Sequence, residues 1–134
     1  MEDTAKGTCY QFAEFIFDRH SRTLYKLDNH KHKRQLKIEP QVSELLAYFL
    51  ERQHQIIPRE DLVSYLWPKR IVGDDALRSC IKKLREALDD NAKSPRFIKT
   101  LPMKGYEFIG HARVAKPIKT TNNQPLIKLR LGIA

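Results

Sequence analysis

The hydrophobic period of the chain changes at Pro40, and no other feature constrains the fold so tightly. Before it, apolar residues cluster or alternate as they do in strands. QFAEFIF (11–17) is rich in aromatics, TLYKL (23–27) partly alternates, and RQLKIE (34–39) alternates around Leu36 and Ile38. The connections RHS and DNHKHK are polar, as hairpin loops should be. After Pro40, QVSELLAYFLERQ places Val42, Leu45, Leu46 and Phe49 on one helix face, with proline suited to the first turn.

Two more helices follow. PREDLVSYLW has Leu62, Val63, Leu66 and Trp67 as its apolar side, and Pro68 ends it. Asp74 is an acceptable N-cap for a third helix, DDALRSCIKKLREALDD (74–90). Beyond NAKSP, the short strands RFIKTL and YEFI flank PMKG, a ribbon with a basic tip at Lys104 and a glycine for the turn. Three strands, three helices and a hairpin make an α+β chain on the plan of a winged helix-turn-helix. In that plan an N-terminal antiparallel sheet precedes the helices, the third helix lies in the DNA major groove, and the hairpin wing reaches the adjacent backbone or minor groove.

A chain of 134 residues is long enough for one domain with a real core and short for two. Its net charge of +9 favours an anionic partner, nucleic acid or membrane surface, over a merely soluble basic domain only when other features agree. The charge is uneven. Residues 1–9 are slightly acidic and read as a flexible N-terminus, 10–110 as the domain, and 111–134 as a basic linker with five basic and no acidic residues. Cys9 and Cys80 show neither a CxxC spacing nor the density of a disulfide scaffold. The acidic start carries no signal-peptide pattern and no run of about 18 apolar residues occurs, so a reducing cytoplasmic setting is the default expectation.

In the third helix Leu77, Ile81, Leu84 and Leu88 fall within about 60° of one another at 100° per residue. Arg78, Lys82, Lys83 and Arg85 project from the flanks and the opposite side, with Ser79 among them. Long cations reach phosphates and guanine edges, and a small hydroxyl lets a helix approach the base pairs closely. Asp75 and Glu86 share the exposed side; they either face away from phosphate or accept from a cytosine amino group. A solvated face with charges for solubility is the plain alternative. It weakens once Arg96, Lys99 and Lys104 mark a basic hairpin close behind the helix.

Other classes find little support. There is no GxSxG, P-loop, HExxH or GxGxxG, and a Tyr106–His111 acid–base pair has no chemistry around it, so an enzyme is not expected. His30 and His32 without further ligands read as a polar loop, and neither a metal nor a cofactor is expected. The narrow apolar stripe of the third helix carries no large aromatics to lie on lipid.

IEPQVSELLAYFL, IPREDLVSYLW, DDALRSCIKKLREALDD and FIKTLPMKGYEFI together closely resemble the OmpR/PhoB-type winged-helix domain, most strongly its ToxR/CadC-like branch of bacterial transcription regulators. The resemblance covers about residues 10–110. Its most specific pieces are Leu84, Arg85 and Leu88 at the end of the recognition helix, and the wing pattern Thr100, Pro102, Lys104, Gly105, Tyr106. It implies groove-facing roles for Arg78, Ser79, Lys82 and Lys83, a phosphate contact for Arg85, and wing contacts for Thr100 and Lys104, beside which Lys99 marks the wing by its charge. Lys69 and Arg70, in the loop PKRIVGD, become weaker candidates for RNA polymerase or phosphate, and Trp67 a core residue closing the second helix.

The implied function is sequence-specific binding of double-stranded promoter DNA, with a dimer on tandem or inverted half-sites. A protein-interaction module that docks a partner regulator or polymerase is the alternative, kept alive by Asp75 and Glu86. Single-strand or RNA binding ranks third, for want of a plain aromatic platform. Nine residues before the domain cannot hold a phosphorylated receiver: either one has been cut away, or the chain belongs to the receiver-less branch. Members of that branch commonly continue through a transmembrane helix, and the acid-free tail ending LIKLRLGIA would suit an approach to the inner membrane. A disordered basic tail is the other reading of those residues.

Overall fold

The computed structural model describes residues 8–115. Strands β1 (Cys9–Phe12), β2 (Phe15–Asp18), β3 (Thr23–Leu27) and β4 (Lys33–Leu36) come first, then helices α1 (Pro40–Glu51), α2 (Arg59–Leu66) and α3 (Asp74–Ala87). Strands β5 (Ile98–Leu101), β6 (Gly105–Phe108) and β7 (Arg113–Ala115) complete the order. An antiparallel sheet runs β4-β3-β2-β1-β7, and β5-β6 is the separate two-stranded wing.

The helices and the wing fall where the periodicity places them. The N-terminal sheet differs from expectation. QFAEFIF is not one strand but parts of two, folded back so that Phe12 pairs with Phe15. Ala13 takes φ 50 at this turn without glycine, asparagine or aspartate to announce it. RQLKIE is likewise shorter as a strand, ending at Leu36. The folded body also reaches past the expected boundaries, since Cys9 pairs with Ala115 and Gln11 with Arg113. The rest of the expected linker, from residue 116, lies outside the described residues, as do residues 1–7.

Helix α1 is the axis of the core. Val42, Leu45, Leu46 and Phe49 are buried as its spacing requires, and Ala47 and Leu50 widen the stripe until most of the helix is enclosed. Each such aliphatic or aromatic side chain contributes roughly 1.5–3 kcal/mol when fully buried. Ser43, the one buried polar residue among the described residues, is satisfied by its own helix, its hydroxyl donating to the Pro40 carbonyl at 2.6 Å. On the sheet side Phe12, Phe15, Phe97 and Phe108 pack with ring centroids 5.3–6.1 Å apart, joining β1 and β2 to the base of the wing.

Two local expectations are corrected at the helix and wing ends. Asp74 is not the N-cap of α3: Gly73 holds that position, and Asp74 and Asp75 form the acidic first turn, favourable beside the positive end of the helix dipole. The wing turn is Leu101–Lys104, closed by the Lys104 N–H on the Leu101 carbonyl at 2.9 Å, and its positive φ belongs to Met103. Gly105 serves a different need. Its φ is 139, and a Cβ there would run into the Ile57 carbonyl and lie 3.0 Å from Pro58 Cα. Ile57 and Tyr106 exchange backbone hydrogen bonds of 2.8 and 3.0 Å at this close approach, which ties the loop before α2 to the wing.

Candidate nucleic-acid interface

Helix α3 buries Leu77, Cys80, Ile81 and Leu84 and leaves Asp75, Arg78, Ser79, Lys82, Lys83 and Glu86 exposed. Three separate ties fix its attitude. At its start, Arg59 of α2 donates to the Asp74 carboxylate at 2.8 Å. Along its length, the Cys80 thiol faces the Gln41 carbonyl of α1 at 3.8 Å, while Gln41 Nε2 donates to the Leu66 carbonyl at the end of α2. At its end, Arg85 Nη2 donates to the Ile98 carbonyl at 2.8 Å and to Thr100 Oγ1 at 2.9 Å, bracing the wing against the helix. Burial pushes the Cys80 thiol up to about 11, so it is a neutral packing group at physiological pH.

The expected site residues fall into two groups. Ser79 and Lys82 are exposed on the outer face of α3, and Lys99 and Lys104 on the wing. Arg78 is exposed there too, with its Nη2 on the Asp75 carboxylate at 2.7 Å. That contact answers one question about Asp75, which holds Arg78 in place from the first turn of the helix. Lys69 and Arg70 stand exposed in the loop between α2 and α3 beside a fully exposed Ile71. Three residues are engaged by partners on other elements of the chain instead. Lys83 is held by Glu39 at 3.0 Å, and Arg85 and Thr100 hold each other. Trp67 caps the end of α2 and packs against the core. A cleft between α3 and the wing, lined by Arg78, Lys82, Arg85, Thr100 and Tyr106 among others, separates the outward cations of the two elements.

Some residues that build this site give no signal of it in the sequence. Asp90, just past α3, accepts backbone N–H groups from Asn91 and Arg96 on one oxygen and from Phe97 and Ile98 on the other, at 2.6–3.3 Å. It therefore sets the loop from which the wing departs. Arg96 continues the clamp by gripping Glu14 at 2.7 Å, which holds the Glu14 carboxyl below its usual range. Met103, almost wholly exposed, occupies the wing tip, where a turn between Pro102 and Lys104 announces position but not an apolar point.

A basic recognition helix braced to a wing, on a core of three helices and an antiparallel sheet, defines the winged-helix class of DNA-binding domain. Residues 33–108 match the family described as "Transcriptional regulatory protein, C terminal", and the chain belongs to that family, in its OmpR/PhoB-type, ToxR/CadC-like form; it is a transcription-regulator domain and not an enzyme. The cholera toxin transcriptional activator of Vibrio cholerae serotype O1 is 32% identical over 113 residues, which are 82% of this chain and 38% of that protein. The transcriptional activator CadC of Escherichia coli K12 is 34% identical over 77 residues, 57% of this chain and 15% of CadC. The chain thus spans well under half the length of these relatives. Among solved structures, the DNA-binding domain of E. coli CadC superposes with a TM-score of 0.66 at 25% identity, covering 79% of this chain and 95% of that one. The DNA-binding domain of Klebsiella pneumoniae RstA in complex with the RstA box has the same fold, with a TM-score of 0.65 at 24% identity over 77% of this chain and 98% of that one.

Proposed function

We propose that this domain binds double-stranded promoter DNA sequence-specifically, with α3 in the major groove and the wing on the adjacent backbone or minor groove. The observation that carries this is the outer face of α3. Ser79 and Lys82 stand clear of the protein, and Arg78 is held outward by Asp75, on a helix whose two ends are tied down, by Arg59 and by the Arg85 brace. Arg78, Ser79 and Lys82 read base edges. Lys99 and Lys104 neutralise phosphates, and Met103 meets the groove at the wing tip. Lys83 reaches DNA by exchanging Glu39 for phosphate. Arg85 and Thr100 act by positioning the wing, and Nη1 of Arg85, whose Nε is buried and Nη2 engaged, is its means of touching a phosphate. The CadC domain, a DNA-binding domain of the same fold, supports DNA as the partner.

Titration of a selected and an unselected duplex at several salt concentrations tests this. Affinity must fall steeply with salt, because phosphate neutralisation releases counterions. Lys82→Ala should cost roughly 1–3 kcal/mol on the selected duplex and less on the unselected one. Equal losses on both would move Lys82 from base to phosphate contact, and a salt-independent affinity would overturn the DNA reading.

A second contact is favoured by the loop between α2 and α3, where Lys69, Arg70 and the fully exposed Ile71 offer an apolar point between cations. We assign it to RNA polymerase or a partner regulator. In the longer protein the domain works on the cytoplasmic side of an inner-membrane anchor, binding DNA as a dimer. The unmatched length of the relatives is what supports a further segment, and among the described residues no helix is long and apolar enough to cross a membrane.

A further inference from the structure

The cations of the described chain divide by whether a carboxylate holds them. Arg19, Arg22, Arg52, Arg59, Arg78, Lys83 and Arg96 are in ion pairs. Lys26, Lys31, Lys33, Arg34 and Lys37 crowd onto β3, β4 and their flanks, and none of them is in an ion pair among the described residues. Strand β4 is the edge of its sheet. Charge on an edge strand deters pairing with another chain, which accounts for Lys33 and Arg34 on the strand but not for Lys37 beyond its end.

Alternation along β4 sorts these side chains. Arg34 pairs with Lys26 and Leu36 with the buried Leu24, so Arg34 and Lys26 lie on the face turned towards the core and α3. Lys33 lies on the opposite face, its ammonium over the Tyr25 ring at 5.0 Å. One cleft is lined by Lys26, Arg34, Leu36 and Lys37 together with Glu86 and Ala87 of α3. A second joins Lys37 to Lys83 and its partner Glu39, with Glu86 and Ala87, and its charges balance. Glu86 and Asp89 offset part of this charge, and three cations remain against two carboxylates in the first cleft.

These placements give β4 a definite bearing on the recognition helix. Arg85, which touches the wing, and Lys83, which lines the cleft with Lys37, are roughly 160° apart around α3 at 100° per residue. The outward residues Arg78, Lys82 and Ser79 lie between them, with the carboxylates Asp75 and Glu86 on the same arc. A helix with its side chains is about 10–12 Å across and the major groove about 12 Å wide. Elements on opposite flanks of α3 therefore stand over the two phosphate backbones that border the groove. The wing takes one.

We propose that Arg34 and Lys37, with Lys26 behind them, form a second phosphate-binding wall on the side of α3 opposite the wing, gripping the other border of the same major groove. This rests on the DNA reading given above. The full chain and its Arg34→Ala/Lys37→Ala, Arg34→Ala and Lys33→Ala variants are titrated with a selected duplex, an unselected duplex and phosphatidylserine vesicles across a salt series. All three side chains are exposed, so thermal unfolding should be unchanged and any weakening reads as binding. Removing one cation from a phosphate should make the slope of log affinity against log salt shallower by about 0.9, so the double variant should flatten it by about 1.8. Both duplexes should be weakened alike, and Lys33→Ala should do less than Arg34→Ala. An unchanged slope in the double variant, with the parent chain still salt-dependent, overturns the wall and leaves the DNA reading standing. Equal weakening by Lys33→Ala and Arg34→Ala overturns it in favour of diffuse charge. Abolished vesicle binding with no change on DNA overturns it in favour of an anionic membrane surface. A parent chain without salt-dependent DNA binding overturns both.

Discussion

Replacing Gly105 by alanine should damage the domain far more than one methyl group suggests. Two costs combine. A φ of 139 belongs to a region that only glycine occupies readily, and holding another residue there costs about 1–3 kcal/mol. The new Cβ also collides with the Ile57 carbonyl, which can move away only by giving up the paired backbone hydrogen bonds between Ile57 and Tyr106. Their loss adds about 1 kcal/mol each. The sum is about 3–5 kcal/mol, a large part of the stability of a small domain. At this size it corresponds to a fall in Tm of about 10–25 °C. Urea and thermal unfolding followed by circular dichroism measure it. Gly73→Ala is the matched control, because a Cβ there meets nothing within 4 Å, and it should cost no more than about 1 kcal/mol for the changed helix cap. A Gly105→Ala domain within about 1 kcal/mol of the parent would refute the claim that this glycine is kept for close approach.

Three other outcomes are expected. Asp90→Ala strands several backbone N–H groups at the root of the wing and should cost on the order of 2–3 kcal/mol in urea unfolding, with Asp90→Asn in between; a neutral alanine variant would contradict the clamp. Cys80, raised to about 11 and buried with Cys9, should resist a thiol reagent at neutral pH until urea is added, whereas rapid native labelling would show that α3 opens from the core. Glu14, held below its ordinary value of 4.5 by Arg96, contributes stability that is fully present above that value and lost as pH falls through the lowered one. The stability gap to Glu14→Gln, about 0.2–1 kcal/mol for so open a pair, should therefore close in acid and stay flat above pH 4.5, and a gap independent of acid would remove the ion pair as its cause.

Much of this architecture was legible because it is local. Leu77, Ile81 and Leu84 had to share a face of a helix, and Pro40 and Pro68 had to bound helices, whatever surrounded them. The turn at Ala13 was hidden because its positive φ is imposed by the pairing of Phe12 with Phe15, and alanine does not advertise it. The fifth strand was hidden because RVA becomes a strand only beside β1, about a hundred residues earlier. In the candidate site, the outward set on α3 could be read from a helical wheel. Lys83 could not be told from Lys82 that way, since Glu39 lies 44 positions away and only packing brings it near. The cations of DNHKHK and RQLK looked like an ordinary polar loop and strand for the same reason. Their bearing on α3 exists only in three dimensions.

The brace from Arg85 to Ile98 and Thr100 joins helix and wing like the two arms of a caliper. A caliper measures what it closes on. In the docking proposed above, a groove that did not match this set opening would itself have to widen, narrow or bend to fit. That deformation is easy at flexible steps and hard in stiff tracts, so base pairs that no side chain touches would still be sorted by their compliance.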